Sequence, residues 1–165
     1  MISKINLKKL EKIKLVITDV DGVLTDGGMY YSEKGEIMKK FNTKDGMAVE
    51  LLHKNSIKTV FLTKENSKIA KSRAKKVKAD GVYVNIKDKE KYLSQICKKF
   101  AVKPNEILYI GDDINDIGII KKSGFSSCPN NAIYDVKKIV DHICKTNGGE
   151  GVLREITEII IKYKN

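Results

Sequence analysis

The sequence predicts an α/β fold, a doubly wound parallel sheet with a small β-hairpin insertion. Short apolar, β-branched runs alternate with segments of helical periodicity, and this order is typical of parallel sheets whose strands are joined by crossover helices. Acidic residues directly follow two of the strand-like runs, and such sheets bind ligands at the carboxyl ends of their strands. With 165 residues, of which 41% are hydrophobic, the chain is long enough for one core, so we expect a single domain over residues 1–165.

The strands are predicted from short apolar runs, and the helices from apolar spacing and capping residues. The predicted strands are 14–18, 58–62, 82–84, 107–110 and 125–128. The predicted helices are 46–54, 67–78, 89–100, 114–122 and 151–163, with Asp88 as a candidate N-cap. The segments 29–32 and 36–41 flank Glu33-Lys34-Gly35, which predicts the hairpin. Residues 1–13 interrupt their apolar positions with lysines and predict a short packed helix rather than a signal peptide or a membrane span.

The charge of the chain argues against a nucleic-acid partner, although the formal net charge is +11. Arg73 and Arg154 are the only arginines, and lysines are spread over almost every segment. Bidentate recognition of bases and phosphates favours arginine. We therefore expect neither nucleic acid nor a membrane as a partner, and the positive field would help an anionic small substrate to reach its site.

The cysteines indicate a reducing compartment. Cys97, Cys128 and Cys144 are odd in number and widely spaced, without a metal-binding or disulfide pattern. We expect free thiols and a cytoplasmic protein.

Two acidic clusters lie at the ends of strand-like runs. Asp19 and Asp21 follow the first predicted strand, and Asp112, Asp113 and Asp116 follow the run at 107–110. Folding stability gives no reason for five carboxylates to converge, since they repel one another unless a cation lies between them. Oxygen ligands of this kind are preferred by Mg²⁺. One of the acids near 112 could instead serve only as a helix cap.

A threonine and a lysine complete a phosphoryl-transfer site at the same edge. Asp19 is the candidate nucleophile that forms an aspartyl phosphate, and Asp21 is the candidate proton donor to the leaving alkoxide. Thr63 and Lys89 would bind phosphoryl oxygens. Each of these last two has an ordinary alternative, since threonine often ends a strand in a turn and lysine usually lies at the surface.

This ordered set resembles the haloacid dehalogenase superfamily of phosphatases. The matching segments are 16–25 (VITDVDGVLT), 61–63 (FLT), Lys89 and 110–116 (IGDDIND). The resemblance implies a Rossmann-like fold and an Mg²⁺ ion held by Asp19, the backbone carbonyl of Asp21, and Asp112. It also implies that Asp113 and Asp116 support the metal-bound waters or the lysine.

A closer resemblance is to the capless branch that dephosphorylates 3-deoxy-2-ulosonic sugar acids. It is carried by residues 19–27 (DVDGVLTDG), 41–46 (FNTKDG) and 148–155 (GGEGVLRE). The resemblance implies that there is no separate cap and that the hairpins assemble a homotetramer, in which a neighbouring subunit covers the substrate. Tyr30 and Tyr31 suit such an interface, but packing on their own domain is equally open.

The segment after Thr63 bears on the substrate. The octulosonate phosphatases usually continue with Gly-Arg, whereas this chain has Lys64-Glu65-Asn66. With residues 73–76 (RAKK), this is similar to the sialate-type members, so the main expectation is an N-acylneuraminate or KDN 9-phosphate phosphatase. The alternative is a 3-deoxy-D-manno-octulosonate 8-phosphate phosphatase. Glu65 and Lys76 are candidate sugar contacts.

Arg154 is a candidate clamp for the substrate carboxylate, because its guanidinium pairs with planar anions as lysine cannot. Whether it would act in its own subunit or in a neighbour is open. A plain surface role is as consistent with the sequence for Arg154, and for Glu65 and Lys76 a solvated pair is the commoner outcome.

Two other classes of function also fit an acidic α/β domain. A receiver-like phospho-switch shares the acidic pair, the threonine and the lysine, but there the lysine would come last, whereas Lys89 precedes Asp112. A non-catalytic oligomerisation domain, like those fused to some sialate synthetases, would not need every catalytic position to be filled.

Overall fold

The computed structural model describes residues 8–164, and its architecture confirms the α/β fold class with a hairpin insertion. The strands are β1 (Leu15–Thr18), β2 (Tyr30–Ser32), β3 (Gly35–Met38), β4 (Lys58–Leu62), β5 (Gly81–Tyr83), β6 (Ile107–Ile110), β7 (Phe125–Cys128) and β8 (His142–Ile143). The helices are α1 (Thr43–Lys54), α2 (Lys68–Lys76), α3 (Lys89–Phe100), α4 (Ile117–Lys122), α5 (Tyr134–Lys137) and α6 (Val152–Lys164). Short 3₁₀ turns span Pro104–Glu106 and Ile114–Asp116.

The sheet topology places β1 at the centre of the molecule. Six strands pair in the order β5-β4-β1-β6-β7-β8, and every pair is parallel. Thr18, the last residue of β1, is in register with Phe61 of β4 and Ile110 of β6. The segments that leave these three strands therefore meet at one edge, where ligands bind in open parallel sheets. The hairpin β2–β3 is a separate antiparallel pair beyond this edge.

Apolar side chains cover both faces of the sheet. Along β1, Val16 belongs to one core cluster and its neighbours Leu15 and Ile17 belong to the other. Helices α1, α2 and α6 contribute to the first cluster, and α3 and α4 contribute to the second. The strands are hydrophobic almost throughout because both faces are buried, as expected for a parallel sheet.

Several predicted boundaries were wrong by a few residues. Helix α1 begins at Thr43 rather than Gly46, because the Asn42 side chain accepts a hydrogen bond from the Lys44 amide at 3.0 Å and caps the helix earlier. The helix predicted at 114–122 starts as a 3₁₀ turn. Helix α5 and strand β8 were not predicted, since elements of four and two residues carry no measurable periodicity.

The first predicted helix lies partly outside the described residues. Residues 8–10 are helical, and Leu10 is fully buried, which agrees with packing on the domain. Between residues 8 and 164, each helix is either too short or too polar to cross a membrane. The three cysteines are free thiols, as expected.

Candidate active site

Asp19 stands at the end of β1 with its carboxylate almost fully buried. Its backbone amide donates to the Ile110 carbonyl at 2.9 Å, which continues the pairing with β6. The Val20 amide donates to Asp19 Oδ1 at 2.7 Å, so the side chain is held at the sheet edge. Burial and the charge of Asp116 raise the pKa of Asp19 well above its usual value, although Lys89 opposes the shift.

The loop after β1 requires a glycine. Gly22 has φ +85°, and a Cβ there would lie 2.0 Å from Asp112 Oδ2. A larger residue would therefore be strained and would push the two acidic clusters apart. The hydroxyl of Thr25 accepts from the Gly27 amide at 3.2 Å and helps to fold the same loop.

Lys89 joins the two acidic clusters. Its fully buried Nζ lies 2.6 Å from Asp19 Oδ2 and 2.7 Å from Asp116 Oδ1. Lys89 is the first residue of α3, and Asp88 caps that helix by accepting from the Lys91 amide at 3.0 Å, as predicted. The common alternative for a lysine, a surface position, is wrong here.

Asp116 is the anchor of the second cluster. Its Oδ1 also accepts from the Tyr109 hydroxyl at 2.5 Å, while its Oδ2 accepts from the backbone amides of Asp112 at 2.9 Å and Asp113 at 3.3 Å. The resemblance implied that Asp116 supports either the metal-bound waters or the lysine, and in the structure Asp116 contacts Lys89. Tyr109 was missed by sequence reasoning, because in an apolar strand a tyrosine gives no signal beyond core packing.

Asp112 carries the orphaned atom of the site. Its Oδ1 is buried and finds no hydrogen-bond partner among residues 8–164. Burial, with the charges of Asp116 and Asp113, raises the pKa of Asp112 to about 7 despite Lys89. Asp113 is exposed, and its Oδ1 caps the following 3₁₀ turn by accepting from the Ile114 amide at 2.7 Å.

The donor set fits a divalent cation of the hard type. Asp19, Asp112 and Asp116 offer carboxylate oxygens that all lie within 4.8 Å of one another. If all three acids were ionised, Lys89 would balance only one of their charges, and the raised pKa values of Asp19 and Asp112 reflect burial together with this repulsion. Such a cluster is costly without a cation and suits an ion that prefers oxygen ligands.

Asp21 is held from two sides at the mouth of the site. Thr63 Oγ1 donates to Asp21 Oδ2 at 3.3 Å, and the buried Nζ of Lys39 forms an ion pair with Asp21 Oδ1. Lys39 also lies 2.5 Å from Glu36 Oε1. Burial lowers the pKa of Lys39, but the hydrogen bonds and charges of Asp21 and Glu36 outweigh it and raise the pKa. Sequence reasoning missed Lys39, one of many lysines in the chain.

These groups surround a cleft of about 210 Å³, here called the acid cleft. Its lining residues are Asp19, Asp21, Thr63, Lys64, Glu65, Asp112, Asp113 and Asn115. Within the described part of the chain, the other two candidate sugar contacts lie elsewhere. Lys76 lines a separate cavity of about 370 Å³, and Arg154 lines one of about 450 Å³, where its Nε donates to Glu158 Oε1 at 2.7 Å.

A second group of potential metal ligands, His142, Cys144 and Glu155, lies near β8. The Glu155 carboxylate already accepts from the amides of Lys145 at 2.9 Å and Thr146 at 3.0 Å. Burial raises the pKa of the Cys144 thiol to about 12, which disfavours the thiolate that a metal requires. This group is explained by its role in holding the loop before α6.

Comparison with known proteins agrees with this geometry. A family model described as haloacid dehalogenase-like hydrolase matches residues 25–156. The chain is 36% identical over 155 residues to the 3-deoxy-D-manno-octulosonate 8-phosphate phosphatase of Haemophilus influenzae, covering 94% of this chain and 86% of that protein.

Solved structures are similar over nearly the whole fold. The cobalt-bound deoxy-D-mannose-octulosonate 8-phosphate phosphatase from Haemophilus influenzae superposes with a TM-score of 0.92 at 35% identity, covering 94% of this chain and 91% of that one. The Moraxella catarrhalis 3-deoxy-D-manno-octulosonate 8-phosphate phosphatase, solved with magnesium, phosphate and KDO, gives 0.92 at 31% identity, covering 96% and 91%. The chain therefore belongs to the haloacid dehalogenase-like hydrolase family.

Proposed function

We propose that this protein is a magnesium-dependent phosphatase that removes the terminal phosphate of a 3-deoxy-2-ulosonic sugar acid through an aspartyl phosphate on Asp19. The observation that carries the proposal is the buried cluster of Asp19, Lys89, Asp116 and Asp112, in which Asp112 Oδ1 has no partner among the described residues and lies beside the acid cleft. A buried carboxylate oxygen without a partner is uncommon in a purely structural ion-pair network, and this one belongs to a residue that lines the acid cleft.

Asp19 and Asp21 divide the chemistry between them. A carboxylate oxygen of Asp19 attacks phosphorus, the bond from phosphorus to the sugar oxygen breaks, and Asp21 gives its proton to the leaving alkoxide. Water then attacks the aspartyl phosphate, Asp21 takes a proton from that water, and phosphate leaves with Asp19 restored. Thr63 donates to a phosphoryl oxygen.

Magnesium would be held by Asp19, the Asp21 backbone carbonyl and Asp112, and it supplies charge stabilisation for the phosphoryl oxygens. Lys89 supplies the remaining positive charge, and its hold on Asp19 fixes the orientation of the nucleophile. Asp116 keeps Lys89 in place, and Asp113 supports the loop from its capping position.

An eight-carbon substrate, 3-deoxy-D-manno-octulosonate 8-phosphate, is supported better than the nine-carbon type that the sequence favoured. Both relatives named above carry the eight-carbon activity in their names. The nine-carbon candidate retains one local argument, because Lys64 and Glu65 line the acid cleft where the octulosonate enzymes usually carry Gly-Arg.

Substrate cover is proposed to come from a second copy of the chain in a homotetramer. Tyr31 and Ile37 of the hairpin are each 60% exposed, and Met38 is 50% exposed, which is a large apolar area for a short element. In such an assembly, Lys76 and Arg154 could approach a neighbour's acid cleft, which they do not reach in their own chain.

Phosphate release tests the proposed function directly. The purified protein is assayed with Mg²⁺ on octulosonate 8-phosphate, KDN 9-phosphate, N-acetylneuraminate 9-phosphate and glucose 6-phosphate, with EDTA as the metal-free control. We expect the highest kcat/KM on octulosonate 8-phosphate. A higher value on a nine-carbon acid would reverse the substrate assignment, and no magnesium-dependent release from any ester would contradict the phosphatase.

A further inference from the structure

Lys39 is a buried lysine without a role in the mechanism described so far. It follows β3 directly, and its side chain is fully buried although the apolar side chains of the hairpin are exposed. Its Nζ lies between two carboxylates, those of Asp21 and Glu36. A buried ammonium is tolerated when it is paired in this way, and removing it leaves both acids uncompensated.

A second set of contacts fixes Lys39 relative to the acid cleft. Glu36 Oε2 accepts from the Ser67 hydroxyl at 2.8 Å. The same hydroxyl caps α2 by accepting from the Ala70 amide at 3.2 Å. The hairpin is thereby tied to the start of α2, which follows the Thr63 loop. The position of Lys39 is therefore fixed by contacts between the hairpin and the start of α2.

The position of Lys39 matters because Thr63 has only one proton to donate. In the structure that proton goes to Asp21 Oδ2. When Thr63 turns to a phosphoryl oxygen, Asp21 loses this contact. Among residues 8–164, the hydrogen bond that Lys39 Nζ donates to Asp21 Oδ1 is then the side-chain contact that keeps Asp21 in place, and it leaves Oδ2 free to carry the proton for the leaving oxygen.

We propose that Lys39 is a positioning residue for Asp21, which it holds in line with the leaving oxygen throughout turnover. The proposal rests on the proposed function, since it assigns Lys39 to the proton donor of that reaction. It also gives the hairpin a part in the chemistry beyond any role in assembly.

The test exploits the difference between leaving groups. A sugar alkoxide needs a proton as it leaves, whereas the nitrophenolate of p-nitrophenyl phosphate does not. In Lys39→Met, we expect kcat for octulosonate 8-phosphate or glucose 6-phosphate to fall about 10²-fold or more, with KM nearly unchanged. With p-nitrophenyl phosphate, kcat should fall less than about fivefold. Lys40→Met is the matched control, because Lys40 is a neighbouring lysine whose side chain is 67% exposed.

A double variant separates positioning from general damage to the fold. If Lys39 acts through Asp21, then Asp21→Asn/Lys39→Met should be no slower on the sugar phosphate than Asp21→Asn alone. Lys39→Arg should restore part of the activity, since arginine can pair with both carboxylates. If Lys39→Met does not fold, Glu36→Gln removes one support of Lys39 and should show the same leaving-group pattern with a smaller loss.

The outcomes are distinguishable. Equal losses on both leaving groups, additive losses in the double variant, or a change confined to KM would overturn the positioning role while leaving the phosphatase intact. A wild-type protein that releases phosphate from neither kind of ester with Mg²⁺ would contradict the proposed function, and the role of Lys39 with it.

Discussion

The floor of the acid cleft and the hairpin beside it differ in whether their side chains find partners within one chain. On the floor, Lys89 and Asp116 are fully buried, and both carboxylate oxygens of Asp116 are hydrogen-bonded. On the hairpin, Tyr31 and Ile37 are mostly exposed. The groups that would break the phosphoester bond are thus assembled within one chain, whereas the surfaces that would cover a sugar are not. Lys39 connects the two regions.

The largest expected effect comes from replacing the candidate nucleophile Asp19 on the floor of the acid cleft. Asp19→Asn removes the attacking carboxylate but keeps a similar shape, and we expect phosphate release to fall by at least about 10⁴-fold with the fold intact. Phosphate release with Mg²⁺ and circular dichroism check both statements. Asp135→Asn, at an exposed position on α5, is the control and should retain full activity. Undiminished turnover in Asp19→Asn would exclude the aspartyl phosphate.

The next largest effect is expected from removing the Lys89 ammonium group, which joins the two acidic clusters. Lys89→Met leaves Asp19 and Asp116 close together without their ammonium, so we expect a loss of about 3–5 kcal/mol in the free energy of unfolding without metal. We also expect kcat to fall by about 10²–10³-fold. Urea unfolding in EDTA and steady-state kinetics with Mg²⁺ measure the two effects.

Lys91→Met is the matched control, because the Lys91 side chain is 86% exposed on the same helix and forms a surface ion pair with the cap Asp88. Its stability should change by less than about 1 kcal/mol. If Lys89→Met were as stable and as active as Lys91→Met, the buried cluster would have no part in either property.

A smaller effect is expected from replacing exposed apolar side chains of the hairpin. Tyr31→Ser/Ile37→Ser removes two exposed apolar side chains, and if the proposed tetramer forms through the hairpin, we expect a shift to smaller species in light scattering. Because cover of the sugar would be lost, kcat/KM for octulosonate 8-phosphate should fall by about 10-fold or more, while p-nitrophenyl phosphate is affected less. Glu33→Ser in the hairpin turn is the control. A variant that stays fully assembled and active would show that the hairpin is not the interface.

The same contrast explains what could be predicted from the sequence. The sheet, Asp19, Asp21 and the cluster at Asp112 carry local patterns, because each acidic cluster comes soon after an apolar strand. Lys39 and Tyr109 do not, since their roles depend on partners 18 and 7 residues away that only the fold brings together. Lys76 was chosen by resemblance and Arg154 for the chemistry of its guanidinium, and in a single chain they line other cavities. Their proposed roles depend on an assembly that one chain does not contain.

The smallest expected effect concerns Asp45, a buried carboxyl of α1 outside both regions. Its Oδ1 accepts from the Arg154 amide at 3.1 Å, and its Oδ2 is buried without a partner among the described residues. Burial raises the pKa of Asp45 from 3.8 to about 6, despite the amide hydrogen bonds at the start of α6. Asp45 therefore offers a buried acid whose cost can be measured without touching the acid cleft.

The direction of the change in stability with pH follows from the pKa of Asp45 in the folded chain, about 6, and its ordinary value of 3.8. Below about pH 4 the Asp45 carboxyl is protonated in both the folded and the unfolded chain. Between about pH 4 and 6 only the folded chain keeps this proton. The free energy of unfolding therefore falls as the pH rises, by roughly 2–3 kcal/mol in total. Asp45→Asn keeps an oxygen acceptor and removes this titration. The difference in unfolding free energy between variant and wild type, measured in urea at pH 4 and pH 7.5, should therefore move in favour of the variant by that amount. Asp135→Asn should show no such change, and a constant difference for Asp45→Asn would mean that Asp45 ionises in the folded protein as easily as in the unfolded chain.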